Sequence, residues 1–149
     1  MDEYNIYNRF YKKNSTVFFE LLKNNKVETV LDIRLNNNSQ LAGFSKYPDI
    51  EFFLNEICNI NYISDTKFAP TEQILKDYKK KKISWDDYVL EFNKVMDSRK
   101  IDEYIKTKYK DYAYDNICLL CSEEKYINCH RSLVARRFSD VLGGNVVHL

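Results

Sequence analysis

The chain has 149 residues, 23 basic and 22 acidic side chains and a formal net charge of +1, with 44% hydrophobic and 15% aromatic residues. That length suits one domain, residues 1–149, with a substantial core, and the composition excludes a disordered chain. The balanced charge excludes whole-chain attraction to nucleic acid, so any anion site must be a local cluster. Three glycines and two prolines disfavour a loop-rich or sandwich fold.

In chain order, residues 4–7 read as a short first strand. Ser15 is the expected N-cap of a helix whose apolar stripe is Val17, Phe18, Phe19, Leu21 and Leu22, closed at Asn24-Asn25. Residues 29–33 form a nearly continuous apolar run, as in a strand covered on both faces. Residues 35–47 lack periodicity and predict a long loop. Pro48 suits the first position of a second helix with Phe52, Phe53, Leu54 and Ile57 facing inward and Cys58 as a small buried thiol.

Residues 61–64 suggest a strand, and Thr71 an N-cap for a helix over 72–80. Ser84 caps a further helix with Asp86 and Asp87 in its first turn and Trp85, Tyr88, Val89, Phe92 and Val95 on its apolar face. Another helix covers 102–109, a buried strand 117–121, a last helix 132–142 ending at Gly143-Gly144, and a terminal strand 145–149. The alternation predicts an α/β fold: one three-layer domain with a mostly parallel sheet of about five strands flanked by helices.

Ligands bind such sheets beyond the carboxyl ends of the strands. Asp32, Arg34 and Glu123 are expected there, joined by Cys129, His130 and Arg131 at a helix start. Arg34 and Arg131 suit bidentate contact with phosphate or carboxylate, and the helix N-terminus adds N–H donors. The bland alternative is an Arg34–Glu123 or Arg131–Asp32 ion pair joining neighbouring strands. Ser39 and Lys46 lie in the long loop, which could close over a ligand. The run Lys79 to Lys82 reads either as a solvated helix end or as a binding patch.

Cys118, Cys121, Cys129 and His130 have a metal-like count. Cys118 and Cys121 fall on opposite faces of a strand, however, so no metal site is expected. Cys129 at a helix N-terminus near arginines is a candidate thiolate nucleophile, although the adjacent His130 would not face it.

These motifs resemble a known family. Leu31-Asp32-Ile33-Arg34 with Ser39 and Phe44-Ser45-Lys46 looks like a first signature, and Phe68-Ala69-Pro70-Thr71 with Tyr78-Lys79-Lys80 and Ile83-Ser84-Trp85 like a subfamily signature. Leu119-Leu120-Cys121-Ser122-Glu123, Cys129-His130-Arg131 and the closing Val146-Val147-His148 look like the last. Together they resemble the prokaryotic family called domain of unknown function 488, in the same order from Tyr4 to His148. The family usually has Pro where this chain has Asn37, implying a less rigid loop after Arg34, and often a Gly pair where it has Ala69-Pro70, implying a variant pocket wall. The resemblance implies the importance of Asp32, Arg34, Glu123, Cys129, His130 and Arg131, and no reaction.

Three functions are therefore expected. The first is a phosphate, nucleotide or nucleic-acid site, and an enzyme if Asp32, Glu123 or Cys129 acts as base or nucleophile while Arg34, Ser39, Lys46, His130 and Arg131 hold the substrate. The second is a non-catalytic nucleic-acid or protein-binding module. The third is thiol or sulfur transfer through Cys129. No cofactor is indicated and the oligomeric state is open. No apolar run approaches the roughly 18 residues that span a bilayer. The start Met1-Asp2-Glu3-Tyr4 is too polar for a signal peptide, so a cytoplasmic protein with reduced thiols and no membrane partner is expected.

Overall fold

A computed structural model describes residues 3–9, 14–38, 43–110, 116–121 and 129–148, with side chains between residues 14 and 146 of those ranges. The elements are β1 (Glu3–Arg9), α1 (Ser15–Asn24), β2 (Thr29–Asp32), α2 (Asp49–Phe52, continued by a π-helical turn Phe53–Ile57), β3 (Asn61–Ser64), α3 (Glu72–Lys79), α4 (Trp85–Ser98), α5 (Ile101–Tyr104, continued by a π-helical turn Ile105–Tyr109), β4 (Ile117–Cys121), α6 (His130–Leu142) and β5 (Asn145–His148). The class is α/β, with a parallel sheet flanked by helices. Three strands, in the order β3-β2-β4, form the centre described with its side chains, and β1 then β5 continue the ladder beyond β4.

Alternation along the strands divides the core. Val30, Cys118 and Leu120 meet Phe18 and Leu22 of α1 and Ile50 and Leu54 of α2 on one face. Leu31, Ile117, Leu119 and Cys121 meet Phe92 of α4, Ile105 and Tyr109 beyond α5, and Val134 and Phe138 of α6 on the other. The direction of each crossover accounts for this split. Right-handed connections that run from β1 towards β3 leave helices on one face, and those running back towards β5 leave them on the opposite face. The chain leaving β2 thus turns to one side while the chains leaving its neighbours β3 and β4 turn to the other. A crevice opens at the carboxyl end of β2, as at the switch points of doubly wound sheets.

Most caps agree with the sequence. Thr71 Oγ1 accepts from Ile74 N–H, and Ser84 with Asp87 forms a reciprocal capping box. Five local readings are corrected. Asn14, not Ser15, caps α1, its side chain accepting from Val17 N–H at 2.9 Å. Pro48 is itself the cap residue of α2, preceded by a cis peptide bond. Phe52 and Ile57 face outward, at 57% and 62% exposure, while Ile50 and Leu54 are buried. Phe52, two residues from buried Ile50, falls on the opposite side of the helix, and the longer period of the π-helical turn that follows carries Ile57 off the buried face. Cys58 lies past this turn and is only half-buried. Finally, α6 begins at His130, two residues earlier than expected, which makes Cys129 its N-cap residue.

Candidate functional site

The carboxyl end of β2 carries a buried polar network. Asp32 is fully buried and Arg34 is 5% exposed. The backbone turns after Asp32 so that Arg34 folds back on it. Arg34 Nε donates to Asp32 Oδ1 at 2.8 Å, Arg34 Nη2 donates to Oδ2 at 2.7 Å, and Nη2 also donates to the Ser45 carbonyl at 2.8 Å. Tyr62 of β3 donates its hydroxyl to Asp32 Oδ2 at 2.6 Å, and Asn37 Nδ2 reaches both Tyr62 Oη and Ser64 Oγ. Burial pulls the Arg34 guanidinium down, but the hydrogen bonds and charge of Asp32 outweigh it and hold its pKa above the ordinary value. Burial and the Asp32 carboxylate push the Tyr62 phenol up. Both shifts favour the charged pair with a neutral tyrosine.

A second carboxylate follows β3. Asp65 N–H bonds the Asp32 carbonyl, which places the two acidic residues at neighbouring strand ends. Asp65 Oδ2 accepts from Tyr104 and Tyr109 hydroxyls at 2.6 Å each and from Lys108 Nζ at 3.2 Å, and Oδ1 accepts from Lys67 N–H. Burial pushes this carboxyl up, but the four donors prevail and hold its pKa below the usual value.

The third cluster joins β4 to α6. Cys121, Cys129 and His130 are buried, at 1%, 1% and 5% exposure. Cys129 Sγ lies 2.8 Å from Cys121 Sγ, and Cys121 Sγ lies 3.5 Å from His130 Nδ1. His130 Nε2 is 2.9 Å from the Ile33 carbonyl. A carbonyl only accepts, so Nε2 carries a hydrogen, and Nδ1 is the ring nitrogen turned to the Cys121 sulfur. Phe92 packs on the imidazole at the end of a row of rings running through Tyr88 from Trp85. Burial, then the Cys121 sulfur, push the Cys129 thiol well above its ordinary pKa, against the opposing pull of Arg131.

That burial sets an expected result. Iodoacetamide at neutral pH should label half-buried Cys58 first and reach Cys118, Cys121 and Cys129 only after unfolding, as read by peptide mass spectrometry. Native labelling of Cys129 as fast as a model thiol would restore the nucleophile reading.

The structure brings Asp32, Arg34, Cys129, His130 and Arg131 to the predicted edge. Arg131 is 1% exposed, and Arg34 pairs with Asp32, a pairing the sequence reading did not weigh. Lys46 is half-buried directly after the turn Gly43–Ser45, its N–H bonded to the Gly43 carbonyl. Ser39 and Glu123 lie outside the described residues. Cys118 and Cys121 do face opposite sides of the sheet. The partners that the sequence reading missed are Tyr62, Asn37 and Asp65, and the proximity of Cys121 to Cys129. For Asp65 a signal existed: a lone acidic residue directly after a strand.

Beside this edge a groove of about 380 Å³ is lined by Leu35 and Asn36 from the loop after β2 and by Glu72, Leu75, Lys76, Lys79 and Lys80 of α3 and its end. Three lysines face one glutamate there. Among the described residues, no helix is long and apolar enough to cross a membrane.

A family model described as "Domain of unknown function DUF488" matches residues 15–138. That span is narrower than the likeness read from the motifs, which reached Tyr4 and His148. No curated protein and no solved structure matches the chain.

Proposed function

The chain belongs to the DUF488 family, and from that premise we propose that it binds a phosphate-bearing ligand in the groove at the carboxyl end of β2. The observation that carries the reading is the groove itself, a ligand-sized concavity lined by Lys76, Lys79 and Lys80 against Glu72 alone. It lies where the sheet topology opens a crevice. The lysines supply the positive charge. Arg34, locked between Asp32 and the Ser45 carbonyl, fixes the loop that forms the opposite wall. Direct anion contact by Arg34 would have to break a buried ion pair, and contact by Arg131 would have to uncover a side chain 1% exposed; the lysine groove needs neither.

The test is a thermal-shift and binding titration with inorganic phosphate, ATP and single-stranded oligonucleotides. Wild type should be stabilised by RT ln(1 + L/Kd), where L is the free ligand concentration, a gain that rises with the logarithm of L once the site is filled. The charge-reversed variant Lys76→Glu, Lys79→Glu, Lys80→Glu should lose that gain. A variant reversed at Lys94, Lys106 and Lys110, none of which lines the groove, should keep it. For an oligonucleotide, each lysine that meets a phosphate should contribute about 0.7 to the slope of log K against log salt. Equal binding by both variants would sink the proposal. Binding of oligonucleotides without any effect of ATP or phosphate would point to a nucleic-acid module.

A further inference from the structure

We propose that Cys121, Cys129 and His130 form a metal site for a thiophilic divalent ion of the zinc class, independent of the groove. The ligand atoms Cys121 Sγ, Cys129 Sγ and His130 Nδ1 all lie within 4.8 Å of one another. Two thiols and an imidazole are the donor set that such an ion selects over calcium or magnesium.

The geometry around His130 supports this most directly. A metal-bound histidine characteristically donates its second ring N–H to a carbonyl or carboxylate, which fixes the tautomer and aims the other nitrogen. His130 Nε2 meets the Ile33 carbonyl at 2.9 Å, and Nδ1 lies 3.5 Å from the Cys121 sulfur, with the Cys129 sulfur within 4.8 Å. With metal–sulfur bonds of about 2.3 Å and metal–nitrogen bonds of about 2.0 Å, tetrahedral ligation needs a sulfur–nitrogen separation of about 3.5 Å and a sulfur–sulfur separation of about 3.8 Å. The Cys121–His130 separation of 3.5 Å already fits. The Cys121–Cys129 separation of 2.8 Å must open by about 1 Å. Cys129 is the N-cap residue of α6, with extended backbone and its carbonyl held by Ser132 N–H and Oγ, and rotation about its Cα–Cβ bond can shift the sulfur by that distance while the carbonyl stays bonded.

Binding is an exchange of ions without redox change. Two S–H bonds break, their protons pass to solvent, and each thiolate keeps its electron pair to form a bond to the ion. The imidazole donates its Nδ1 lone pair and keeps its Nε2 proton. Two thiolates cancel the charge of the divalent ion, which makes the buried position electrostatically acceptable. Three protein ligands leave a fourth position for water or an exogenous ligand. The ion would clamp the end of β4 to the start of α6, eight residues on.

The test uses wild-type protein kept under reductant and titrated with Zn²⁺ or Co²⁺ alone. Expected are one ion per chain, release of about two protons per ion, and the intense sulfur-to-cobalt charge-transfer band with the visible spectrum of tetrahedral Co²⁺. Zinc-edge X-ray absorption should show two sulfur neighbours and one imidazole. Cys121→Ser, Cys129→Ser and His130→Ala should each lower affinity at least tenfold, whereas Cys58→Ser should not. Wild type that binds no ion, or binds one without the sulfur band, overturns the proposal whether or not the variants fold. So does retention of the ion by a folded Cys121→Ser, Cys129→Ser double variant.

Discussion

Replacing Asp32 with alanine is expected to cost the folded protein about 3–5 kcal/mol, the largest effect of any polar substitution at the sheet edge. The carboxylate is fully buried and accepts from Arg34 Nε, Arg34 Nη2 and the Tyr62 hydroxyl at 2.6–2.8 Å. Its removal leaves the Arg34 charge in the interior without its counter-ion and takes away the acceptor of a half-buried phenol. Tyr62→Phe should cost far less, about 1 kcal/mol, because one hydrogen bond is lost and the charge pair stays whole. The pair is also expected to be worth little against an apolar substitute. Asp32→Leu with Arg34→Met should recover much of the loss, because desolvating both ions offsets most of their attraction. Urea unfolding of the single and double variants provides the coupling energy. An Asp32→Ala variant within about 1 kcal/mol of wild type would show that the pair is not buried in solution.

Asp65→Ala is expected to destabilise by about 2–3 kcal/mol, because the buried Tyr109 hydroxyl loses its acceptor and Lys108 its counter-ion. Asp65→Asn should cost less, since the amide oxygen still accepts. The two variants also separate in their pH dependence. The folded pKa of Asp65 lies below its unfolded value, so its stabilising contribution is present above the unfolded pKa and is lost as pH falls through the folded one. Wild type should therefore lose urea resistance more steeply than Asp65→Asn between about pH 4 and lower pH. At the alkaline end the sign reverses. Tyr62 and Tyr104 have pKa values raised in the folded state, so their contributions are whole below the unfolded tyrosine pKa of about 10 and fade as pH rises past it. Parallel acid limbs for wild type and Asp65→Asn would contradict the four-donor environment of this carboxylate.

The α/β class, the α3 and α4 caps, β3 and β4 were legible because each rests on local rules. A five-residue apolar run between polar flanks has few uses besides a buried strand, and Thr71 or Ser84 ahead of an amphipathic run satisfies N–H groups within its own turn. The carboxyl-edge position of Asp32 and Arg34 followed from the same local reading. The outward turn of Ile57 was not legible, because a π-helical turn alters the period on which the reading depended, and Phe52 lies opposite Ile50, which the expected stripe had left out. Partnerships were beyond the sequence as well. Arg34 chose Asp32, two residues away, and Asp65 gathered Tyr104, Lys108 and Tyr109 from about forty residues on. Strand order brought β4 beside β2, and the start of α6 over both, so that His130 meets the Ile33 carbonyl and Cys121 meets Cys129. The sequence by itself determined which segments bury their side chains and which residue types wait at the strand ends. Only the tertiary structure decided which of those residues meet, because hydrogen bonds and ion pairs act over a few ångströms, and strand order, helix packing and the turns between them set those distances.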